Sequence, residues 1–288
     1  MGFSFLDLHQ QFFIYTDKNR LRSNGVVSDS KINNIENEEP KILFIGDSVP
    51  FGWGVSNQDS IPGIYQKMNN KLISINGAIP SFSLSQSIER FEIEFSEIKN
   101  IKYIYLQIYD PVHQYYGFGK KWDEKMNFNN QSMILYQQNL FLFKYDEIPF
   151  YGELNFLKIL QKIYIRYFFQ LSDIDNRETT EESDKRFVDH INRQLEKLYD
   201  QLNQDTILII APVTTPDLVN NIYNKRVRII NLLNEQLKKF NKENVIYFNL
   251  VNKLKNYKDE ELFIDNCCHL SVNGNLRAAE ELSKIISE

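Results

Sequence analysis

Lys41-Ile42-Leu43-Phe44-Ile45-Gly46-Asp47-Ser48-Val49-Pro50-Phe51-Gly52-Trp53-Gly54 is the stretch on which the reading of this chain turns. Ile42 to Ile45 form a short, unbroken apolar run closed by Gly46, the pattern of a strand buried on both faces. The residues that follow belong to a strand-end loop. That loop lacks the Lys-Ser/Thr that a phosphate loop carries after its last glycine, and Asn57 stands where a dinucleotide fingerprint needs its third glycine. Pro50 stands where the nucleophile elbow of α/β-hydrolases needs glycine two residues past the serine. What remains is Ser48 at the end of a buried strand, preceded by Gly46 and Asp47.

Working outward, strands and helix-length segments alternate. Ser60 and Pro62 start a helix that runs to about Asn70. Leu72–Ile75 is a second strand, followed by a loop with Gly77 and Pro80. Ser83 or Ser85 caps a helix through Phe95, and Tyr103–Ile108 is the third strand. Later come a helix from about Lys185 to Leu202, a strand at Thr206–Ile210, and a loop with Pro212 and Pro216. One long amphipathic pattern then spans Leu218–Phe240, followed by a strand at Val245–Phe248 and a helix from Asn273 to Ile286. This order predicts an α/β protein with three α/β/α layers around a central parallel sheet of about five strands. In such sheets the chemistry lies beyond the carboxyl ends of the strands. Asp265-Asn266-Cys267-Cys268-His269-Leu270-Ser271, after the fifth strand, therefore belongs to the same edge as Ser48.

The 288 residues divide into an arm and polar linker over 1–40, read as irregular, and a domain over 41–288. An aromatic-rich insertion at about 112–184 interrupts the alternation after the third strand; it holds 16 aromatics, well above the chain's 14% share. A net charge of −5 from 33 basic and 38 acidic residues argues against nucleic acid as a partner, which needs a concentrated positive field. Two adjacent cysteines can build neither a disulfide framework nor a four-ligand zinc site, so no metal and no cofactor is expected. No stretch is long and apolar enough for a transmembrane segment. The first residues show no signal-peptide pattern, so a cytoplasmic location is the expectation.

These blocks resemble the GDSL/SGNH hydrolase family. Gly46-Asp47-Ser48, continued by Phe51-Gly52-Trp53-Gly54-Val55, matches the family's first block. Asn76-Gly77-Ala78-Ile79-Pro80 is similar to the second. Asp265 to His269, with Gly274 and Asn275 beyond, resembles the last. The resemblance spans about residues 41–288 and implies the flavodoxin-like SGNH fold, with Ser48, His269 and Asp265 as a catalytic triad. It also implies that the backbone N–H groups of Ser48 and Ala78 hold the oxyanion.

Three positions depart from the family pattern. Ala78 replaces a glycine, which matters little for a backbone donor. The third block lacks its asparagine: Leu106-Gln107-Ile108-Tyr109-Asp110 stands there, leaving Gln107 or Tyr109 to substitute, or one donor fewer. The carboxylate usually found three residues before the histidine is replaced by Asn266, and Asp265 lies four before. Asn76, His113 and Trp122 are candidate substrate contacts, while Asp47, Cys267 and Cys268 read as structural. The resemblance implies an ester hydrolase that removes an acyl group, acetyl among the candidates, from a carbohydrate or small-molecule ester. A glycan O-acyltransferase using the same residues and a non-catalytic binding protein on a decayed hydrolase fold are the alternatives.

Overall fold

The structure, a computed structural model, describes residues 2–6, 11–15, 21–23, 38–80, 82–108, 181–223, 225–257 and 260–287. Tyr109, His113, Trp122 and the 112–180 part of the insertion lie outside these described residues. The chain divides into two units, Met1–Tyr109 with Val188–Glu288, and Asp110–Phe187. The first unit carries the sheet.

Strands β1 (Gly2–Leu6) and β2 (Gln11–Tyr15) pair antiparallel. β3 (Lys41–Ile45), β4 (Ile73–Asn76), β5 (Ile101–Ile108), β6 (Ile207–Pro212) and β7 (Val245–Tyr247) form one parallel sheet in the order β4-β3-β5-β6-β7. The helices are α1 (Ser48–Phe51), α2 (Ile61–Met68), α3 (Leu84–Arg90), α4 (Glu181–Tyr199), α5 (Pro216–Val219), α6 (Lys225–Lys239), α7 (Leu250–Leu254) and α8 (Val272–Ser287). Every residue of β3 is buried, as a central strand covered on both faces must be. Ile42 and Phe44 join Tyr105, Ile209 and Ala211 in a core closed by residues of α2, α7 and α8. Leu43 points the other way, as alternation requires; there it meets the Phe95 ring beside Gly77. α4 lies with α3 on that opposite side, joined by the Lys197–Glu92 ion pair. This is the three-layer α/β/α architecture.

Local chemistry explains the boundaries. The Ser60 hydroxyl accepts the Gly63 N–H at 3.3 Å and caps α2. Ser83 and Gln86 form a capping box at α3, which continues into a π-helical turn at Phe91–Phe95. The pattern read as one helix over Leu218–Phe240 is two helices. Thr215 caps α5 early, with Pro216 at its first position, and Asn221 at φ 58° leaves the helical region before α6 begins.

The irregular arm expected over residues 1–40 needs correction. β1 and β2 form a regular hairpin there, favoured by aromatic-rich runs such as Gln11-Phe12-Phe13-Ile14-Tyr15. Arg22 bridges to Asn76 at the end of β4 and is only 1% exposed.

The strand order reverses direction between β3 and β5, which places the crevice of such a fold beyond the ends of these two strands. Gly46, at φ +134°, lets them approach: a Cβ there would lie 2.6 Å from the Gln107 carbonyl oxygen. The residue after the β3 strand end therefore turns straight into the crevice.

Candidate active site

Ser48 opens the one-turn helix α1 immediately after that glycine. Asp47 precedes it as N-cap and accepts the Ser48 N–H with its own carboxylate. Gly52, at φ 83°, ends the turn in the left-handed region; its N–H donates back to the Ser48 carbonyl at 3.0 Å. The Trp53 N–H reaches the same carbonyl at 2.9 Å. The result is a tight turn with Ser48 only 6% exposed.

The segment carrying His269 is a closed loop before α8. Phe263 and Leu270 form an antiparallel bridge, and the Ile264 N–H donates to the His269 carbonyl at 3.0 Å. Asp265 sits inside this loop. Its Oδ1 accepts the N–H groups of Cys267, Cys268 and His269 at 2.9, 3.1 and 3.2 Å. Its Oδ2 faces His269 Nδ1 in a short contact. Partial burial alone would raise the Asp265 carboxyl above its usual range. The hydrogen bond and charge interaction with His269, with the N–H bonds from Cys267 and His269, outweigh it and hold the group below that range. Asn266, the residue at the customary spacing, is exposed.

The two loops meet: His269 Nε2 lies 2.9 Å from Ser48 Oγ. With Asp265 accepting at Nδ1, the ring proton sits on Nδ1 and Nε2 is left to accept from the Ser48 hydroxyl. Side chains of His269 and Asp265 are 17% and 38% exposed, so the pair faces outward from a buried serine.

The candidate oxyanion donors are less simply placed. The Ser48 N–H is turned to Asp47, and the Ala78 N–H reaches Asn76 Oδ1 at 3.3 Å. Among the described residues, those with positive φ other than glycine are Asn100, Asn221 and Asn244, so Ala78 stands in an ordinary conformation. Asn76 is buried and its Nδ2 donates to the Phe51 carbonyl at 3.2 Å, tying the second loop to the Ser48 turn. Gln107, at the end of β5 beside Gly46, is 3% exposed; neither Nε2 nor Oε1 has a hydrogen-bond partner among the described residues. A buried amide left this way is costly, roughly 1–3 kcal/mol, and calls for an explanation.

Sequence reasoning missed the groups that hold this arrangement. The Arg22 guanidinium donates to the carbonyls of Phe51, Gly52 and Val55 and, at 2.8 Å, to Asn57 Oδ1; it also lies 4.8 Å from the Phe51 ring centre. Burial pushes it down to about 9, with Asp59 acting the other way, so it stays charged at neutral pH. Arg90, equally buried, donates to the Gly77 carbonyl beside Ala78 and pairs with Glu94 at 2.6 Å. An arginine among the apolar positions of α3 was the available signal for the second; nothing in the polar surroundings of Arg22 marked the first. The Trp53 ring stands 6.3 Å from the His269 ring, and Ile264, 46% exposed, fills the space over Gly54. Among the described residues no group of three or more His, Cys, Asp or Glu is placed to hold a metal ion. No described helix is long and apolar enough to cross a membrane.

The sheet order and layering are those of a fold shared with solved structures of lipolytic G-D-S-L proteins and acetylxylan esterases. A member of the lipolytic G-D-S-L family from Veillonella parvula DSM 2008 superposes at TM-score 0.50 with 14% identity, covering 86% of this chain and 98% of that one. A catalytic mutant of an acetylxylan esterase from Geobacillus stearothermophilus does so at TM-score 0.52 with 10% identity, over 87% and 95% of the two chains. A second mutant, described as an acetyl-xylooligosaccharide esterase, gives TM-score 0.51 with 11% identity over 88% and 97%. No family model and no curated protein matches the sequence.

Proposed function

We propose that this chain is a serine ester hydrolase that removes an acyl group from a carbohydrate or small-molecule ester. The observation that carries the reading is the relay Ser48 Oγ, His269 Nε2 at 2.9 Å, and Asp265 on the far ring nitrogen. In this reading Ser48 attacks the acyl carbon while His269 takes its proton, and His269 returns that proton to the departing alcohol. Water, activated by the same imidazole, then releases the acid. Asp265 holds the ring in the reactive tautomer and stabilises the imidazolium.

The negative charge on the carbonyl oxygen needs donors. Ala78 N–H, held by a contact of 3.3 Å, is released more easily than the Ser48 N–H held by Asp47. Gln107 supplies the side-chain donor in place of the missing asparagine, because its Nε2, on the residue beside Gly46 near the end of β5, is buried without a partner among the described residues. Trp53 and Ile264 form apolar surface beside His269 suited to an acyl methyl or a sugar face.

The test is hydrolysis of p-nitrophenyl esters of rising chain length and of acetylated glycans, with Ser48→Ala as control. Acetylated xylan comes first because two structures of the same fold carry that substrate in their names. Turnover that Ser48→Ala abolishes supports the reading. Equal activity in both proteins overturns it. A fluorophosphonate probe that leaves Ser48 unlabelled would instead favour a binding protein on this fold.

A further inference from the structure

The chain has two cysteines, and both lie between Asp265 and His269. Their sulfurs are 2.9 Å apart, one thiol donating to the other, with no disulfide between them. Cys267 is half-buried and reachable from solvent, whereas Cys268 is packed in the core with Leu270 and Ala278. Their backbone N–H groups are two of the three that hold Asp265 Oδ1. We propose that this vicinal dithiol is a redox modification site, closed to a disulfide by low-molecular-weight disulfides, and that closure releases Asp265 from His269. The consequence for turnover rests on the esterase reading; the bond itself and the loss of the Asp265–His269 contact do not.

The chemistry is thiol–disulfide exchange. The Cys267 thiolate attacks one sulfur of glutathione disulfide and expels one glutathione thiolate. The Cys268 thiolate then attacks Cys267 Sγ in the mixed disulfide and expels the second. Two protein thiols lose two protons and two electrons, and one glutathione disulfide becomes two glutathiones.

Geometry makes the product strained and reversible. Neighbouring Cα atoms are ~3.8 Å apart, below the ~4.4–6.8 Å that disulfides span. Closing the small ring twists the Cys267–Cys268 peptide away from its relaxed plane, and strain of this kind makes a disulfide easy to reduce. The same peptide carries the Cys268 N–H that now points at Asp265 Oδ1 from 3.1 Å. Cys268 is fixed in the core, so the displacement falls on Cys267 and on the carboxylate the loop surrounds.

The experiment treats the purified protein with glutathione disulfide and then with dithiothreitol. Intact mass, turnover of a small aryl acetate, and the downfield proton resonance of the Asp265–His269 hydrogen bond are followed together. Expected are the loss of two hydrogens, disappearance of the resonance, and a fall in turnover of at least ~10-fold, within the ~10⁴ that loss of the orienting carboxylate costs. All three return with dithiothreitol, and none changes in Cys267→Ser. A glutathione adduct that never closes, or a closed disulfide that leaves the resonance in place, overturns the proposal. Loss of two hydrogens and of the resonance in a protein inert toward all esters sinks the esterase reading alone.

Discussion

The Arg22 guanidinium occupies the space beside Gly52: its Nη1 donates to the Gly52 carbonyl at 2.5 Å, and a Cβ on Gly52 would lie 2.9 Å from that same nitrogen. A residue that precedes the sheet thus fixes the turn that displays Ser48. Among the described residues no carboxylate hydrogen-bonds to it; it is held by three carbonyls and an amide oxygen.

Removing that guanidinium takes one donor from each of four buried acceptors; the Phe51 carbonyl keeps Asn76 Nδ2 and the Gly52 carbonyl keeps the Val55 N–H. Arg22→Met is expected to cost about 2–4 kcal/mol of stability, read as a lower denaturant midpoint. Arg22→Lys should recover little of it, because an ammonium has three donors and no planar fork. A midpoint unchanged in Arg22→Met would show that the turn holds itself.

Ser48→Ala and His269→Ala should each lower kcat on an activated ester by ~10⁴ or more, and the double variant should be scarcely worse than either. Stopped assays beside a thermal melt separate chemistry from unfolding. Additive losses in the double variant would mean that the two residues do not act as a unit.

Asp265→Asn should lower kcat by ~10⁴, whereas Asn266→Ala should leave it nearly unchanged. The same carboxylate predicts a pH dependence. Its folded value lies below its ordinary one, so the unfolded chain takes up the proton first as the solution is acidified. Its stabilising contribution is therefore complete above the ordinary carboxylate value and is lost as pH falls through the depressed one. Chemical denaturation across that acidic window should show a slope in the wild type that is reduced in Asp265→Asn.

Gln107→Leu separates a donor from a packing residue. If the amide serves the oxyanion, kcat should fall by ~10²–10³. Replacing an unpartnered buried amide with a hydrocarbon of similar size should at the same time raise stability by about 1 kcal/mol. A variant that is less stable and fully active would assign Gln107 to packing.

The five sheet strands were legible because buried parallel strands read as continuous apolar runs, and Lys41–Ile45 is bounded so clearly by Gly46. Helix starts were legible where a serine cap stood ahead of apolar spacing, as at Ser60 and Ser83. The Asn221 break was hidden because apolar residues on both sides of it keep helical spacing. At the candidate site, the strand ends pointed to the loops of Ser48 and of Asp265–His269, and the resemblance of those blocks to the GDSL/SGNH family singled out the three residues. Arg22 could not be: its burial depends on carbonyls some 30 residues away, and nothing in Asn19-Arg20-Leu21-Arg22-Ser23 distinguishes a clamped arginine from a solvated one. Gln107 was visible only as an irregularity; its lack of partners is a property of the packed sheet end.

Asp265 and His269 share one short loop, but Ser48, whose Oγ faces His269 Nε2, is 221 positions earlier in the chain than that histidine. A ribosome therefore releases the Ser48 hydroxyl long before the His269 imidazole exists, and under the proposed esterase reading the partial product has its nucleophile without its base. The hydroxyl gains its base only when the last loop and the helix behind it dock against the sheet. On that reading the chain passes through synthesis chemically silent, and the appearance of labelling at Ser48 can be used to time the docking of the loop that carries His269.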